Sequence, residues 1–146
     1  MLEVKQETVP PVPDEGVTIA EAARRTGVSV HTLRYYERAG LVVTAVGRTA
    51  TGRRRYRKFD LDWINICTRL RATGMPIKTI RRYAELVSAG SGNEQDRLAL
   101  LESHRAEVNA KIAELTDNLK LIERKINVYR GRLAAGDADR LWAPSA

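Results

Sequence analysis

The 146-residue sequence is poor in the residues on which several classes of protein depend. Its single cysteine, Cys67, excludes an internal disulfide and a zinc site built from several thiolates of one chain. Aromatic residues make up 5% of the chain, and one of them is a phenylalanine. No run of 18 apolar residues occurs and no signal-peptide pattern opens the chain. We therefore expect a cytoplasmic protein that does not enter the membrane.

Patterns typical of catalysis are also missing. The sequence shows no nucleophile–base pair and no phosphate-binding glycine loop. His31 and His104 lie far apart, without a carboxylate or cysteine at the spacing of metal ligands. We predict that the protein is not an enzyme and that it carries neither a metal nor a cofactor.

Basic residues are concentrated in the first part of the chain. Between Val17 and Lys58 there are ten Lys or Arg residues and two acidic ones, whereas from Ser91 onward nine basic residues balance nine acidic ones. The net charge of +7 therefore belongs to the N-terminal part. A local excess of this kind favours a polyanionic partner. A membrane surface would require a broad apolar face beside the charges, so nucleic acid is the favoured partner.

Two short helices are predicted inside this basic region. Thr18 and Glu21 form a capping box that starts the first helix, and Gly27 stops it after two turns. Ser29 caps a second helix that ends at Gly40. A tight turn between two short helices is typical of a helix-turn-helix, although any helical hairpin shares the pattern.

A β-hairpin and two further helices are predicted next. Residues 41–43 begin a strand, 47–52 form a polar turn, and 55–59 return as the second strand. Asp60 or Asp62 then opens a helix, and Pro76 starts another. The predicted organisation is a disordered leader (1–16), a DNA-binding head (17–60), a two-helix connector (61–90), a dimerisation coiled coil (93–133) and a flexible tail (134–146).

The coiled coil is predicted from apolar residues that alternate spacings of three and four over five heptads. They are Leu98, Leu101, Val108, Ile112, Leu115, Leu119, Ile122, Ile126, Tyr129 and Leu133, and Arg105 is the one polar residue in the series. A stripe about 50 Å long cannot be buried by its own helix, so it needs a partner helix. The alternative is packing on the helices within 63–89, which are too short to cover more than its first half. We expect a homodimer.

The order of these elements resembles the mercury-resistance-regulator (MerR) family of bacterial transcription regulators. The resemblance covers about residues 17–130. The matching motifs are Thr18-Ile19-Ala20-Glu21-Ala22-Ala23, Thr26-Gly27-Val28-Ser29, Thr32-Leu33-Arg34-Tyr35-Tyr36-Glu37-Arg38 with Gly40-Leu41, Gly52-x-Arg54-x-Tyr56, and Leu70-Arg71-x-x-Gly74-Met75-Pro76-Ile77. It implies a mainly α fold: a winged helix-turn-helix head, a helix pair, and a long C-terminal helix forming an antiparallel coiled-coil dimer. It also implies binding to a double-stranded promoter spacer, whose distortion lets RNA polymerase engage both promoter elements.

Candidate DNA-binding residues come from both the helices and the wing. They are Thr18, Ser29, His31, Thr32, Arg34, Tyr35, Tyr36, Arg53, Arg54, Arg55 and Tyr56. Arg34 can bond guanine or clamp a phosphate, and the tyrosine hydroxyls can reach phosphates. Tyr36 is equally compatible with a place in the core.

No inducer site is evident. Metal-sensing members of the family carry cysteines near the end of the long helix, where this chain has none, and drug-sensing members append a large domain that this sequence does not contain. Cys67 lies on an apolar helix face and is predicted to be a core residue, with a thiol sensor as the alternative. An architectural DNA-binding protein and a coiled-coil adaptor for an acidic protein are the alternative functions.

Overall fold

A computed structural model describes residues 9–43, 47–48 and 54–142. Its elements are α1 (Ile19–Thr26), α2 (Val30–Arg38), β1 (Gly47–Arg48), β2 (Arg54–Arg55), α3 (Lys58–Ala72), α4 (Ile77–Ser88), α5 (Glu94–Ala135) and a 3-10 turn (Ala138–Arg140). The mainly helical class is confirmed. By its internal contacts the chain forms two units, Met1–Leu101 and Glu102–Ala146. From here on, the head means α1 to α4 with the hairpin, which is larger than the predicted head of 17–60 because the connector helices share its core. We call the hairpin itself the wing.

The start and end of α1 follow the sequence prediction. Thr18 Oγ1 accepts a hydrogen bond from the Glu21 N–H at 3.2 Å, which satisfies one of the free donors of the first turn. Gly27 has φ +70° and donates its N–H to Ala23 O at 2.9 Å, so a residue without a Cβ ends the helix. The Glu21 carboxylate accepts hydrogen bonds from the side chains of Arg24 and Arg25.

The wing is a shorter hairpin than the sequence suggested. β1 and β2 are antiparallel, with Gly47 opposite Arg55 and Arg48 opposite Arg54. The strand predicted at 41–43 is wrong, because this segment is irregular. Its carbonyl groups accept hydrogen bonds from side chains instead of from a strand, and Leu41 is buried in the core.

The predicted return strand at 55–59 also ends early, because α3 begins at Lys58. The Arg57 N–H donates to Asp60 Oδ2 at 2.9 Å, so Asp60 occupies the third helical position and closes the first turn. The helix therefore starts two residues before the first acidic residue that we expected to open it. Pro76 precedes α4 as its N-cap.

The head has one apolar core to which every one of its helices contributes. Its buried residues are Val17, Ala22, Val28, Leu33, Tyr36, Leu41, Tyr56, Leu61, Trp63, Ile64, Cys67, Met75, Ile80 and Ala84. Val17 and Tyr56 exchange two backbone hydrogen bonds, of 2.7 and 2.8 Å, which tie the chain before α1 to the end of the wing. Gly16 has φ +83°, and a Cβ there would lie 2.7 Å from Tyr56 O, so this close approach requires glycine.

Residues 9–16, part of the predicted disordered leader, make defined contacts with the head. Val12 packs against the core, and Pro10 O accepts a hydrogen bond from Arg25 Nη1 at 2.6 Å. The Gly16 N–H donates to Pro13 O at 2.8 Å and closes a turn. The rest of that leader, residues 1–8, lies outside the described residues.

Helix α5 differs from the others because none of its 42 residues is buried within the single chain. After it, Arg132 Nη1 lies 2.7 Å from Asp137 Oδ2, and Lys125 Nζ stands 4.4 Å from the centre of a Trp142 ring. Part of the predicted flexible tail is thus held against its own helix. Within the described part of the chain, no helix is both long and apolar enough to cross a membrane.

Candidate nucleic-acid interface

The outer face of α2 gathers several side chains that can recognise nucleic acid. Four residues at spacings of three and four are exposed: His31, Arg34, Tyr35 and Arg38. The opposite side of the helix is buried through Leu33 and Tyr36. The amphipathic pattern therefore fixes which side chains point to solvent. Two guanidiniums, a phenol and an imidazole on one face provide donors for phosphate oxygens and for base edges.

The turn before α2 sets the position of this face. Ser29 Oγ accepts a hydrogen bond from the Thr32 N–H at 3.1 Å and donates to Thr32 Oγ1 at 2.9 Å. Val28 is buried between the two helices. The hydroxyl of Ser29 thus caps α2, and that of Thr18 caps α1. A contact of either hydroxyl with DNA would come in addition to its capping role.

Two of the predicted DNA contacts lie in the core. Tyr36 is 7% exposed and Tyr56 is 1% exposed. Tyr36 faces the core because it stands one turn after Leu33 on the same side of α2. Tyr56 is drawn inward by its backbone pairing with Val17. Both rings therefore pack in the core of the head and are not on its DNA-facing surface.

Of the three arginines predicted to act in the wing, the structure describes the side chain of Arg55 alone. Arg53 lies outside the described residues, and of Arg54 only the backbone in β2 is described. The Arg55 side chain is partly buried. In the backbone register of the wing, Arg54 lies opposite Arg48 and Arg55 lies opposite Gly47.

The arginines of α1 are engaged within the head. Arg24 and Arg25 both donate to the Glu21 carboxylate, and these hydrogen bonds, that of Arg24 foremost, lower the pKa of Glu21. Arg25 also reaches Pro10 O. Glu21 therefore offsets part of the positive charge of these two arginines.

Arg38 is the residue of this face that the sequence analysis missed as a site candidate. It lies one turn after Arg34 and Tyr35 and is exposed like them. The signal was present in the sequence, because positions 31, 34, 35 and 38 form one helical stripe.

Cys67 is a buried residue of α3 with 1% exposure. Burial in apolar surroundings raises the pKa of its thiol to about 12. A thiol with this pKa is almost entirely protonated at neutral pH, and the thiolate is the reactive form. The geometry favours the core role over the sensor role.

The predicted dimer residues form an exposed apolar stripe along α5. Leu115 is 62% exposed and Leu133 is 67% exposed, and Ile112, Leu119, Ile122 and Ile126 are exposed as well. Leu101 and Val108 are partly covered. A stripe of large apolar residues in water is unfavourable by roughly 25 cal/mol per Å². Such a surface marks a place where another apolar face packs.

Among the described residues, no group of three or more His, Cys, Asp and Glu side chains is arranged to hold a metal ion. The described site is therefore a surface of charged, polar and aromatic groups on a helix-turn-helix.

Comparison with known proteins agrees with this geometry. Residues 17–86 match the family described as MerR HTH family regulatory protein, and residues 61–125 match the one described as MerR, DNA binding. An uncharacterized HTH-type transcriptional regulator of Haemophilus influenzae is 38% identical over 127 residues, covering 87% of this chain and 93% of the relative.

Two solved structures share the fold along most of the chain. One is HiNmlR, a MerR family regulator lacking the sensor domain, bound to promoter DNA; it is 38% identical with a TM-score of 0.75, covering 85% of this chain and 98% of that one. The other is a putative MerR family transcriptional regulator of Listeria monocytogenes, 31% identical with a TM-score of 0.79, covering 85% and 93%. The chain described here belongs to the MerR family of helix-turn-helix transcriptional regulators.

Proposed function

We propose that this protein binds double-stranded promoter DNA as a homodimer and distorts the spacer between promoter elements to control transcription. The observation that carries the proposal is the outer face of α2, where His31, Arg34, Tyr35 and Arg38 are exposed on one stripe. A second helix of a helix-turn-helix is the element that enters a major groove. The related HiNmlR structure, which is bound to promoter DNA, supports the same partner.

Each residue of the α2 stripe has a role that follows from its chemistry. The planar guanidinium of Arg34 can donate two hydrogen bonds to guanine O6 and N7. His31, in the first turn, lies where side chains of a recognition helix reach base edges. Tyr35 and Arg38 lie further along the helix, and we assign them to phosphate oxygens, where they fix the register of the protein on the duplex.

The wing supplies the second group of contacts. Its arginines, Arg53, Arg54 and Arg55, are placed in or next to β2 by the sequence. We assign the members that face the duplex to phosphates beside the groove, because a hairpin arm can follow the backbone. Tyr36 and Tyr56 are left out of the contacts because both are buried.

The dimer follows from α5. Its exposed stripe from Leu98 to Leu133 fits a second copy of itself, since an antiparallel pair of such helices covers both stripes at once. A dimer would present two heads to a two-fold DNA site. Bending and untwisting between them would act on RNA polymerase indirectly through the promoter. This mechanism involves no chemical reaction, so we propose no enzymatic activity.

Genome-wide mapping of bound sites, followed by footprinting, tests the function. We expect a few sites, each a two-fold sequence inside a promoter spacer, with protection of two half-sites. Many dispersed sites without promoter association would point to an architectural protein. Affinity limited to the non-specific range, roughly 10⁻⁴ to 10⁻⁶ M at physiological salt, would contradict sequence-specific regulation.

A further inference from the structure

The segment between α2 and the wing is held by side chains of the two helices that follow it. Arg81 Nε donates to Ala39 O at 2.6 Å, Trp63 Nε1 to Leu41 O at 2.5 Å, and Ser88 Oγ to Val43 O at 2.9 Å. The three acceptors are alternate residues of one short stretch, 39–43, which we call the junction. Every second carbonyl of the junction is thus bound by α3 or α4.

Arg81 acts at the end of α2. Ala39 is the C-cap of this helix, and the Leu41 N–H returns to Tyr36 O at 3.0 Å. Gly40 has φ +75°, and a Cβ built there would lie 3.8 Å from the Arg81 side chain, so the arginine lies across the glycine. A cation at this place satisfies a free carbonyl and matches the negative end of the helix dipole.

Ser88 acts at the other end of the junction. It stands seven residues after Arg81 on α4, so the two side chains lie on the same face of that helix, two turns apart. One of them binds the exit of α2 and the other binds the residue from which the chain continues towards β1. Helix α4 therefore spans the junction from end to end.

The wing depends on such attachments because it is small. Its strands are two residues long, and an isolated hairpin is marginal in water. The end of the wing is fixed by the Val17–Tyr56 backbone pair. At the other end, the junction stops at Val43, four positions before the first residue of β1.

We propose that Arg81 and Ser88 are positioning residues that set the orientation of the wing relative to α2. A movement of α4 would then be passed to the wing through two hydrogen bonds, without any contact between α4 and the DNA. The consequence for DNA binding rests on the proposed function, whereas the attachment itself does not. Trp63 shares the geometry but is buried in the core, so its replacement would disturb folding as well.

Hydrogen exchange of the free protein tests the attachment directly. In the double variant Arg81→Ala/Ser88→Ala, we expect amides of residues 40–43 and 47–48 to exchange about tenfold faster, since two hydrogen bonds that oppose local opening are lost. Amides of α1 should keep their parental rates. Arg82→Ala is the matched control, because it removes the same charge from the next, exposed residue of α4, which pairs with Glu85. Unchanged exchange in the double variant would overturn the proposal.

A double-mutant cycle on DNA tests the consequence. Arg81→Ala should weaken operator binding in the parent but have little further effect in an Arg54→Gln background, because both changes act through the wing. Equal losses in the two backgrounds would mean that Arg81 contacts DNA on its own account, and the positioning role would be rejected. Failure of the parent to bind any promoter would refute the proposed function, while the exchange experiment would still decide the attachment.

Discussion

The head and helix α5 use apolar residues in opposite ways. In the head, side chains from four helices bury one another, and Ala22, Met75 and Ile80 are fully covered. Along α5 the large apolar residues are in a regular series, yet none is buried. Apart from Leu100, near the start of α5, the core of the head is formed by its own residues. The exposed stripe of α5 is buried only when another surface covers it.

This difference has a consequence for stability. A substitution in the head core should weaken the protein to the same extent at every concentration. A substitution in the α5 stripe should have an effect that depends on concentration, because it acts on association. The proposed function needs both regions, since two heads must be presented together to a two-fold site.

The largest effect is expected from Leu115→Asp. Leu115 lies near the middle of the stripe, so in an antiparallel pair two carboxylates would be buried close together, at a cost of several kcal/mol. Sedimentation should show monomers at micromolar concentration, and operator binding should be lost. Ala113→Asp, which places the same charge on an exposed position away from the stripe, is the control. If the Leu115→Asp variant were still dimeric, α5 would not be the dimer interface.

The next effect compares Ile80→Ala in the head with Leu119→Ala in the stripe. Ile80 is fully buried, so its truncation should cost about 2–5 kcal/mol in chemical denaturation at any protein concentration. Leu119→Ala should lower stability at concentrations where the parent is dimeric, and it should have little effect at dilutions where both proteins are monomeric. If both variants responded to concentration in the same way, the distinction between the two regions would fail.

Arg34→Ala tests the outer face of α2. Loss of a bidentate contact with guanine should cost about 1–3 kcal/mol on the operator and relax preference at one base pair. Binding should be measured on the operator and on random DNA. Equal losses on both would reduce Arg34 to a phosphate contact.

Arg54→Gln tests the wing. Removing one phosphate contact should weaken binding to all sequences and reduce the slope of log affinity against log salt by roughly one unit. Titrations at several salt concentrations measure this slope. A parental slope in the variant would exclude the phosphate role.

Cys67 should show the smallest effect. The thiol is buried and its pKa is raised to about 12, so we expect Cys67→Ala to cost about 1 kcal/mol and to leave DNA binding intact. The unfolded thiol ionises near pH 8.5, so the stabilising effect of the neutral folded thiol is complete below that pH and is lost as pH rises towards 12. Denaturation of parent and variant across this range measures the difference. Rapid alkylation of the native thiol at pH 7 would contradict the core role.

Much of the fold was predictable because local signals agreed with one another. Thr18 and Ser29 cap helices as expected, and Gly27 ends α1 with a positive φ. The wing was harder to predict because its bounds depend on distant groups. Trp63 and Ser88 take the carbonyls that a strand at 41–43 would have used, and no local pattern reveals them.

The candidate site was predictable in part for the same reason. The exposed face of α2 follows from helical spacing, although Arg38 was overlooked. The burial of Tyr56 depends on its pairing with Val17, 39 positions earlier in the chain, so a motif match alone placed it on the surface. Local sequence patterns cannot predict a backbone pairing between residues so far apart in the chain.

Sedimentation equilibrium of the intact protein tests whether the α5 stripe pairs two copies of the chain. The chain has a mass of 16.3 kDa. Because the apolar stripe of α5 is exposed in the single chain, we expect a species of twice that mass at micromolar concentration. The dimer should dissociate on dilution without loss of the helical signal of the head. A monomer of 16.3 kDa at every concentration, still able to protect a two-fold operator, would show that α5 is not a dimer interface and that DNA binding does not need one.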